Sequence, residues 1–210
     1  MAEEQGTKEK ILQVAAELFA KFGFAGTSVR DIAQKSGVNL SAVNYHFGSK
    51  HNLYWSTVCD AHNKGECEVN RLVAESKDLT DFAIRFFDFL LENKGMFRSI
   101  MKLMLTDGVP DPDEDIEQNI AGTLMPFGSD DLRAFVREQL GDLSEDAINF
   151  VVFNVFALII HFGMMHSSSK IEMLKGRNPF IVEENARKVL AHNIKAVENY
   201  VALVGDKFQF

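Results

Sequence analysis

The sequence predicts an all-α protein of about nine helices, and three observations indicate this class. The first helix is expected to run to Phe22, with Thr7 as its N-cap. Its apolar residues recur at helical spacing, with charged residues opposite them. Residues 50–76 and 148–165 are stretches without proline that are long enough for helices of several turns. The 210 residues contain only four prolines. We expect a three-helix N-terminal domain in residues 1–50 and a larger helical domain in residues 51–210.

The composition is that of a globular chain with a large core and without a general basic surface. Apolar residues make up 46% of the chain and include 18 Phe, which is enough to bury a sizeable core. The net charge of −8 argues against a protein that coats nucleic acid non-specifically. Residues 1–55, however, hold six Lys and Arg against five Asp and Glu. The acidic excess therefore lies in the rest of the chain.

The N-terminal and cysteine patterns predict a cytoplasmic protein. The first ten residues are charged and the apolar positions after them are periodic, which a secretory signal is not. Cys59 and Cys67 lie roughly 12 Å apart along one helix, too far for a disulfide, so we expect reduced thiols. His62 and Glu66 share that side, but ligands from one helix rarely close a tetrahedron around a metal. We therefore predict no metal site and no cofactor.

The second and third helices form a pair joined by a tight turn. Thr27 or Ser28 caps the first of them, Gly37 supplies the positive φ of the turn, and Asn39 caps the second. A helix-turn-helix needs a small residue where the helices touch, a glycine in the turn and a branched apolar residue that locks the second helix. Those three residues are Ala33, Gly37 and Val43. Alone, this triplet is a weak signal.

A longer pattern surrounds the pair. It comprises Lys21-Phe22-Gly23, Thr27-Ser28-Val29, Asp31-Ile32-Ala33, Gly37-Val38, Tyr45-His46-Phe47 and Ser49-Lys50-x-x-Leu53. In these positions the first fifty-five residues resemble the N-terminal domain of the tetracycline-repressor (TetR) family of bacterial transcription regulators. The resemblance implies a helix-turn-helix DNA-binding domain followed by a helical ligand-binding and dimerisation domain. The rest of the chain carries no family-wide motif.

The third helix is expected to read bases in the major groove, where base edges differ in their hydrogen-bond pattern. Val43 and Phe47 turn inward, so polar side chains remain on the outward face. Asn44 is the leading base reader, because an amide can bind adenine through two hydrogen bonds. Asn39 and Ser41 are further base readers.

Other contacts are expected to position the protein on the phosphates without reading sequence. Hydroxyl and backbone N–H groups at a helix N-terminus attract phosphate, and so does a lysine at the start of the fourth helix. The resemblance adds a tyrosine and a histidine late in the third helix, and an arginine in the second can reach a phosphate or a guanine. These residues are Thr27, Ser28, Arg30, Tyr45, His46 and Lys50.

A ligand pocket in the larger domain is expected from the family resemblance. Phe and Met are dense between residues 80 and 105, and surfaces lined by Met adapt to varied apolar ligands. An ordinary core explains the same residues, and the identity of the ligand is not readable. The expected lining residues are Phe86, Phe97, Met101, Met104, Phe153 and His161.

Two helices near the end of the chain predict a homodimer. Residues 148–165 approach transmembrane length, but polar residues interrupt them and no basic flank follows. A helix covered partly by its own domain and partly by a second copy explains this pattern better than a membrane span. The last helix adds a narrow apolar seam suited to helix pairing. Its residues are Leu190, Ile194, Val197, Val201 and Val204. The expected dimer interface is residues 144–166 and 180–204.

Together these patterns predict a ligand-responsive transcription regulator that binds a palindromic double-stranded DNA operator as a homodimer. A repressor is the favoured kind of regulator. A small apolar effector would release it by a population shift. Two other classes explain parts of the pattern: an interaction protein that keeps the fold without operator binding, and a helical carrier of apolar ligands. An enzyme is least favoured, because no nucleophile, base and orienting acid form a recognisable set.

Overall fold

The computed structural model describes residues 2–105, 108–109, 111–112, 129–168, 171, 173, 179 and 182–205. Within these residues the chain forms nine α-helices and no strand, which confirms the predicted all-α class. The helices are α1 Ala2–Phe22, α2 Val29–Ser36, α3 Leu40–Phe47, α4 Lys50–Glu75, α5 Leu79–Glu92, α6 Lys94–Met104, α7 Ser129–Leu140, α8 Glu145–Ser167 and α9 Glu183–Val204.

The chain folds into two compact units, each built from two separate stretches of sequence. The first unit is Met1–Lys64 with Met96–Leu124, and the second is Gly65–Gly95 with Met125–Phe210. Consequently α4 and α6 each contribute residues to both units. The predicted boundary after residue 50 falls inside the first unit.

Helix α1 begins at Ala2, five residues before the predicted start. Thr7 lies inside the helix and is not its cap, because the residues before it include Ala, Glu and Gln, which are strong helix formers. The apolar stripe of α1 packs against α2 and α3. Its buried residues are Ile11, Leu12, Ala15, Leu18 and Phe19.

The core of the first unit includes residues from beyond the three N-terminal helices. Leu53, Tyr54 and Val58 of α4 and Leu103 of α6 pack in the same core as α1, α2 and α3. The Tyr54 hydroxyl donates a hydrogen bond of 2.5 Å to the Leu103 carbonyl oxygen. Because the last carbonyls of a helix have no partner within it, this bond satisfies the end of α6 and fixes that end in the core of the first unit.

Gly26 lies in the connection between α1 and α2, where the backbone leaves no room for a side chain. A Cβ atom at this position would lie 2.3 Å from the carbonyl oxygen of Phe22. Gly26→Ala is therefore expected to lower the free energy of unfolding by about 1–3 kcal/mol, the usual cost of forcing volume into a packed site. Chemical denaturation measures this change.

The control for this substitution is Gly6→Ala in α1. A Cβ at Gly6 meets no atom within 4 Å, and alanine is the better helix former, so stability should rise by up to about 1 kcal/mol. An unchanged denaturation midpoint for Gly26→Ala would contradict the close approach of the two backbone segments.

In the second unit α8 is the central helix and packs against α5, α7 and α9. By length and composition alone α8 could cross a bilayer, and less than half of its most apolar stretch is buried inside the protein. The core helix of a helical unit can have the same length and composition. An ion pair of 2.7 Å between Arg187 of α9 and Asp88 of α5 joins two of the surrounding helices.

The apolar seam of α9 is used within its own chain. Leu190, Ile194 and Val201 are buried, and α9 packs against α5 and α8. The prediction that this seam pairs with a second copy is therefore corrected. A narrow apolar seam indicates helix pairing, but its spacing does not tell a partner in the same chain from a partner in another. Of the predicted interface, residues 180 and 181 lie outside the described residues.

Candidate nucleic-acid interface

Side-chain caps fix both helices of the α2–α3 pair. Of the two N-caps that the sequence left open, the structure selects Ser28, whose Oγ accepts a hydrogen bond of 3.1 Å from the Asp31 backbone N–H. The Asp31 carboxylate accepts from the Ser28 N–H at 3.2 Å, which completes a capping box. Gly37 ends α2 with φ 68°, and Asn39 caps α3 by accepting from the Ala42 N–H at 2.7 Å.

Helix α3 buries one face and exposes the other. Val43 and Phe47 are buried in the core of the first unit, as predicted. The exposed side chains are Leu40, Ser41, Asn44 and Tyr45, and His46 is partly exposed. Tyr45 is 78% exposed, and its ring meets the His46 ring edge-on at 5.3 Å. Asn39 is also exposed, but its Oδ1 is committed to the cap, so it offers a base only its N–H donors.

Thr27 does not lie on this exposed surface. Its side chain is buried, and Oγ1 lies within donating distance of the carbonyl oxygens of Gly23, at 2.8 Å, and Leu18, at 3.2 Å. The hydroxyl therefore hydrogen-bonds to the backbone at the C-terminal end of α1. Its predicted phosphate contact is corrected, because a hydroxyl has one hydrogen and this one is already used inside the domain.

Ser28 and Arg30 are exposed at the start of α2. The Ser28 hydroxyl donates to the Asp31 carboxylate at 2.6 Å while its oxygen serves as the cap. A phosphate contact by Ser28 would have to replace one of these bonds, and the Asp31 carboxylate would oppose it electrostatically. Of the two residues, Arg30 is better placed to meet a phosphate.

Lys50 is held against the α1–α2 connection. Its Nζ donates to the carbonyl oxygens of Phe24 at 3.0 Å and Thr27 at 3.2 Å, and it lies 4.2 Å from the centroid of the Phe24 ring. Phe24 in turn meets Tyr54 edge-on at 5.4 Å. Since an ammonium group has three N–H donors, the third can reach a phosphate. Lys50 thus fixes the first turn of α4 in addition to its predicted role.

Lys50→Met keeps most of the side-chain stem and removes the charge. The loss of two charge-assisted hydrogen bonds and of the contact with the Phe24 ring is expected to lower the free energy of unfolding by about 1–2 kcal/mol. If Lys50 also binds a phosphate, the slope of log affinity against log salt falls by about one per protomer.

Chemical denaturation and DNA titrations at several salt concentrations separate these two effects. Lys21→Met is the control for stability, since Lys21 is exposed and contacts only the face of the Phe22 ring, at 4.9 Å, among the contacts described for it. Equal stability of the Lys50 variant and the wild type would contradict a role of Lys50 in stabilising the fold.

The six predicted ligand-lining residues divide between the two units. Phe97, Met101 and Met104 belong to the first unit, and Phe86, Phe153 and His161 to the second. Phe86 and Phe97 are buried, whereas Met104, Phe153 and His161 are exposed. Met104, Phe153 and His161 therefore do not line an enclosed pocket within the single chain, and their assignment is corrected. Because α8 is apolar on most sides, its sequence does not reveal which side faces solvent.

A cavity of about 610 Å³ lies in the first unit beside α1 and α2. Its lining residues are Leu18, Phe22, Gly26, Thr27, Asp31, Gln34 and Lys35.

In the described part of the chain, no group of three His, Cys, Asp or Glu side chains could hold a metal. Burial raises the pKa of the Cys59 thiol, which disfavours the thiolate that a metal requires.

Three residues that support the interface were missed from the sequence. Asp31 had a readable signal, because an acidic residue three positions after a serine cap fits a capping box. Phe24 and Tyr54 had none, since their contacts with Lys50 and Leu103 join parts of the chain that are far apart in sequence.

Residues 11–55 match the family model described as bacterial regulatory proteins, tetR family. The HTH-type transcriptional repressor Rv3405c of Mycobacterium tuberculosis (strain ATCC 25618 / H37Rv) is 56% identical over 43 residues, 20% of this chain and 23% of that protein. The HTH-type transcriptional regulator AcrR of Shigella flexneri is 40% identical over 52 residues, 25% of this chain and 24% of that protein. The match thus spans about a quarter of the length of these curated relatives.

Solved structures share the fold over most of the chain. A transcriptional regulator of the TetR family from Agrobacterium tumefaciens has a TM-score of 0.59 and 17% identity, with 90% of this chain and 98% of that chain covered. FadR from Bacillus subtilis, in complex with stearoyl-CoA, has a TM-score of 0.60 and 14% identity, with 87% and 97% covered. This chain is therefore similar to the TetR family of bacterial regulatory proteins in the motif of residues 11–55, and it shares the all-helical fold of these structures over most of its length.

Proposed function

We propose that the protein is a transcription regulator that binds a palindromic DNA operator as a homodimer, works in the cytoplasm and acts as a repressor. The observation that carries this proposal is α3. The helix is capped at Asn39, held in the core by Val43 and Phe47, and exposes Asn44 and Tyr45 on its other face. A helix locked in this way presents hydrogen-bonding groups at fixed positions, which sequence reading requires.

In this proposal Asn44 is the main base reader, assisted by Ser41 and the N–H donors of Asn39. Phosphate contacts come from the exposed groups around the helix pair, which are Arg30, Tyr45, His46 and the third donor of Lys50. Because residues 1–55 are nearly neutral, bulk attraction to DNA contributes little. Affinity must then come from two recognition helices that bind two half-sites at once.

The proposed dimer uses the outer faces of α8 and α9. Phe153 is 65% exposed and Leu203 is 86% exposed, and Met164 and Tyr200 are also exposed apolar residues of these helices. The Phe150 and Tyr200 rings lie 5.6 Å apart and join the two helices. Exposed apolar side chains on two neighbouring helices are suited to an interaction surface. A second copy that binds through the same face in twofold symmetry would cover it.

Regulation by a small apolar molecule is the further part of the proposal. FadR, which shares the fold, was crystallised with stearoyl-CoA, and the Phe-rich second unit of this chain is a suitable site for an apolar ligand. The protein would have two conformations, one with the recognition helices placed to bind the operator and one with them misplaced. A ligand that binds the second conformation more tightly would lower operator affinity, and the ratio of its two affinities limits the effect.

Selection of genomic fragments at physiological salt, followed by fluorescence anisotropy, tests the proposal. We expect enrichment of a palindrome bound by one dimer, with the DNA beside the protein's own gene as the first candidate. Enrichment of no fragment would contradict operator binding and favour an interaction protein. A monomer that takes up apolar ligands and lacks DNA affinity would favour a carrier.

A further inference from the structure

The last two turns of α8 contain a buried histidine with an unusual hydrogen-bond pattern. His166 is only 3% exposed. Its Nδ1 lies 2.9 Å from the carbonyl oxygen of Phe162, one turn earlier. A carbonyl can only accept a hydrogen bond, so Nδ1 carries the hydrogen. In the neutral ring Nε2 is then left as an acceptor with a lone pair.

That lone pair has no donor in the described part of the chain. Nε2 of His166 is closed off from solvent and makes no hydrogen bond there, and the same holds for the hydroxyl of the next residue, Ser167. A buried polar atom without a partner costs about 1–3 kcal/mol. A histidine with a purely structural role avoids this cost by pairing both ring nitrogens. The arrangement therefore indicates a missing donor.

The surroundings of His166 are aromatic. The Phe87 ring meets the His166 ring edge-on, with the centroids 5.3 Å apart, and the Phe162 ring lies 6.4 Å from it. Phe87 and Phe162 also contact each other edge-on at 6.3 Å. Both phenylalanines are buried. Such rings favour a flat apolar molecule, which they can contact edge to face.

We propose that His166, Phe87 and Phe162 form a binding site for a small neutral aromatic molecule that carries one N–H or O–H donor. The donor bonds Nε2 of His166, and the aromatic body packs against the two phenylalanine rings. This inference rests on the proposed regulation and specifies its ligand class. Nε2 is closed in this conformation, so entry requires a side chain near the end of α8 to move. The adjacent Met164 and Met165 have the flexible side chains for such a movement.

Indole and indene are the probes that test this site, because they have nearly the same shape and differ in the N–H donor. Calorimetric titration of the full chain should show indole binding about fivefold more tightly than indene, the usual effect of one hydrogen bond. His166→Phe keeps a ring and removes the acceptor, so the two probes should bind it equally. His192→Phe, at an exposed histidine of α9, should keep the preference for indole.

Two further measurements keep the test decisive if His166→Phe does not fold. His166→Gln retains an acceptor and should keep part of the preference, and a crystal of the wild type soaked with indole should place the indole nitrogen at Nε2. Equal binding of the two probes by the wild type, no binding of either, or a preference that survives in His166→Phe would overturn the proposal. No DNA is present in these titrations, so their failure is distinguishable from a failure of operator binding.

Discussion

An aspartate in place of Phe153 is expected to convert the proposed dimer into monomers and to lower affinity for the proposed operator by about 10²- to 10⁴-fold, the usual advantage of two linked binding modules over one. Phe153 is exposed in the single chain, so the substitution leaves the fold of each unit intact. In a twofold interface the new carboxylate occurs twice and must be buried without a partner, which is strongly unfavourable. Light scattering should then report the chain mass of 23.6 kDa.

Two further substitutions locate the interface. Leu203→Asp places the same charge on the α9 part of the proposed face and should give the same result. Leu105→Asp is the matched control, because Leu105 is an exposed apolar residue that follows α6 in the first unit. It should leave both the dimer and DNA binding unchanged. A dimer that persists in the Phe153 variant would place the interface elsewhere.

Asn44→Ala is expected to weaken operator binding by about 2–6 kcal/mol per dimer, since each bidentate base contact contributes about 1–3 kcal/mol and the dimer makes two. That loss corresponds to an affinity lower by roughly 30-fold to 10⁴-fold. Specificity should relax at one base pair in each half-site, while the salt dependence stays the same because no phosphate contact is lost. Anisotropy titrations with the selected operator and its single-base variants measure both effects.

The fold of the Asn44 variant should be unaffected. The Asn44 side chain is exposed and takes no part in the caps of α3, and the backbone carbonyl oxygen that accepts from the Gly48 N–H is kept in the alanine variant. Asn63→Ala removes another exposed amide, from the middle of α4, and should leave DNA affinity unchanged. If the Asn44 variant binds its operator as tightly as the wild type, another side chain of α3 reads the base.

Local patterns predicted the helix pair well because its determinants lie close together in sequence. The glycine of the turn, the cap at Asn39 and the inward pair Val43 and Phe47 all act within a few residues of one another. The same approach misplaced Thr27, since a threonine before a helix suits a cap equally well in sequence. Only the fold shows that its hydroxyl reaches back to the carbonyl oxygens of Leu18 and Gly23.

Predictions for the second unit were weaker for a physical reason. When a helix such as α8 is apolar on most sides, periodicity no longer marks its inner face. The sequence therefore did not show that Phe153 is exposed while Val151 and Val155 are buried. It also did not distinguish the exposed His161 from the buried His166. Tertiary packing decides such questions, and it depends on residues far apart in the chain.

The hydrogen bond from Tyr54 to Leu103 has a consequence for chimaeric regulators. A designer who fuses residues 1–64 of this chain to a foreign sensor domain would leave Tyr54 without its acceptor and the first core without Leu103. A buried hydroxyl without a partner and an unfilled volume both destabilise a small domain. A working graft needs residues from around Leu103 as well, so the first unit cannot be transferred as one continuous segment of the chain.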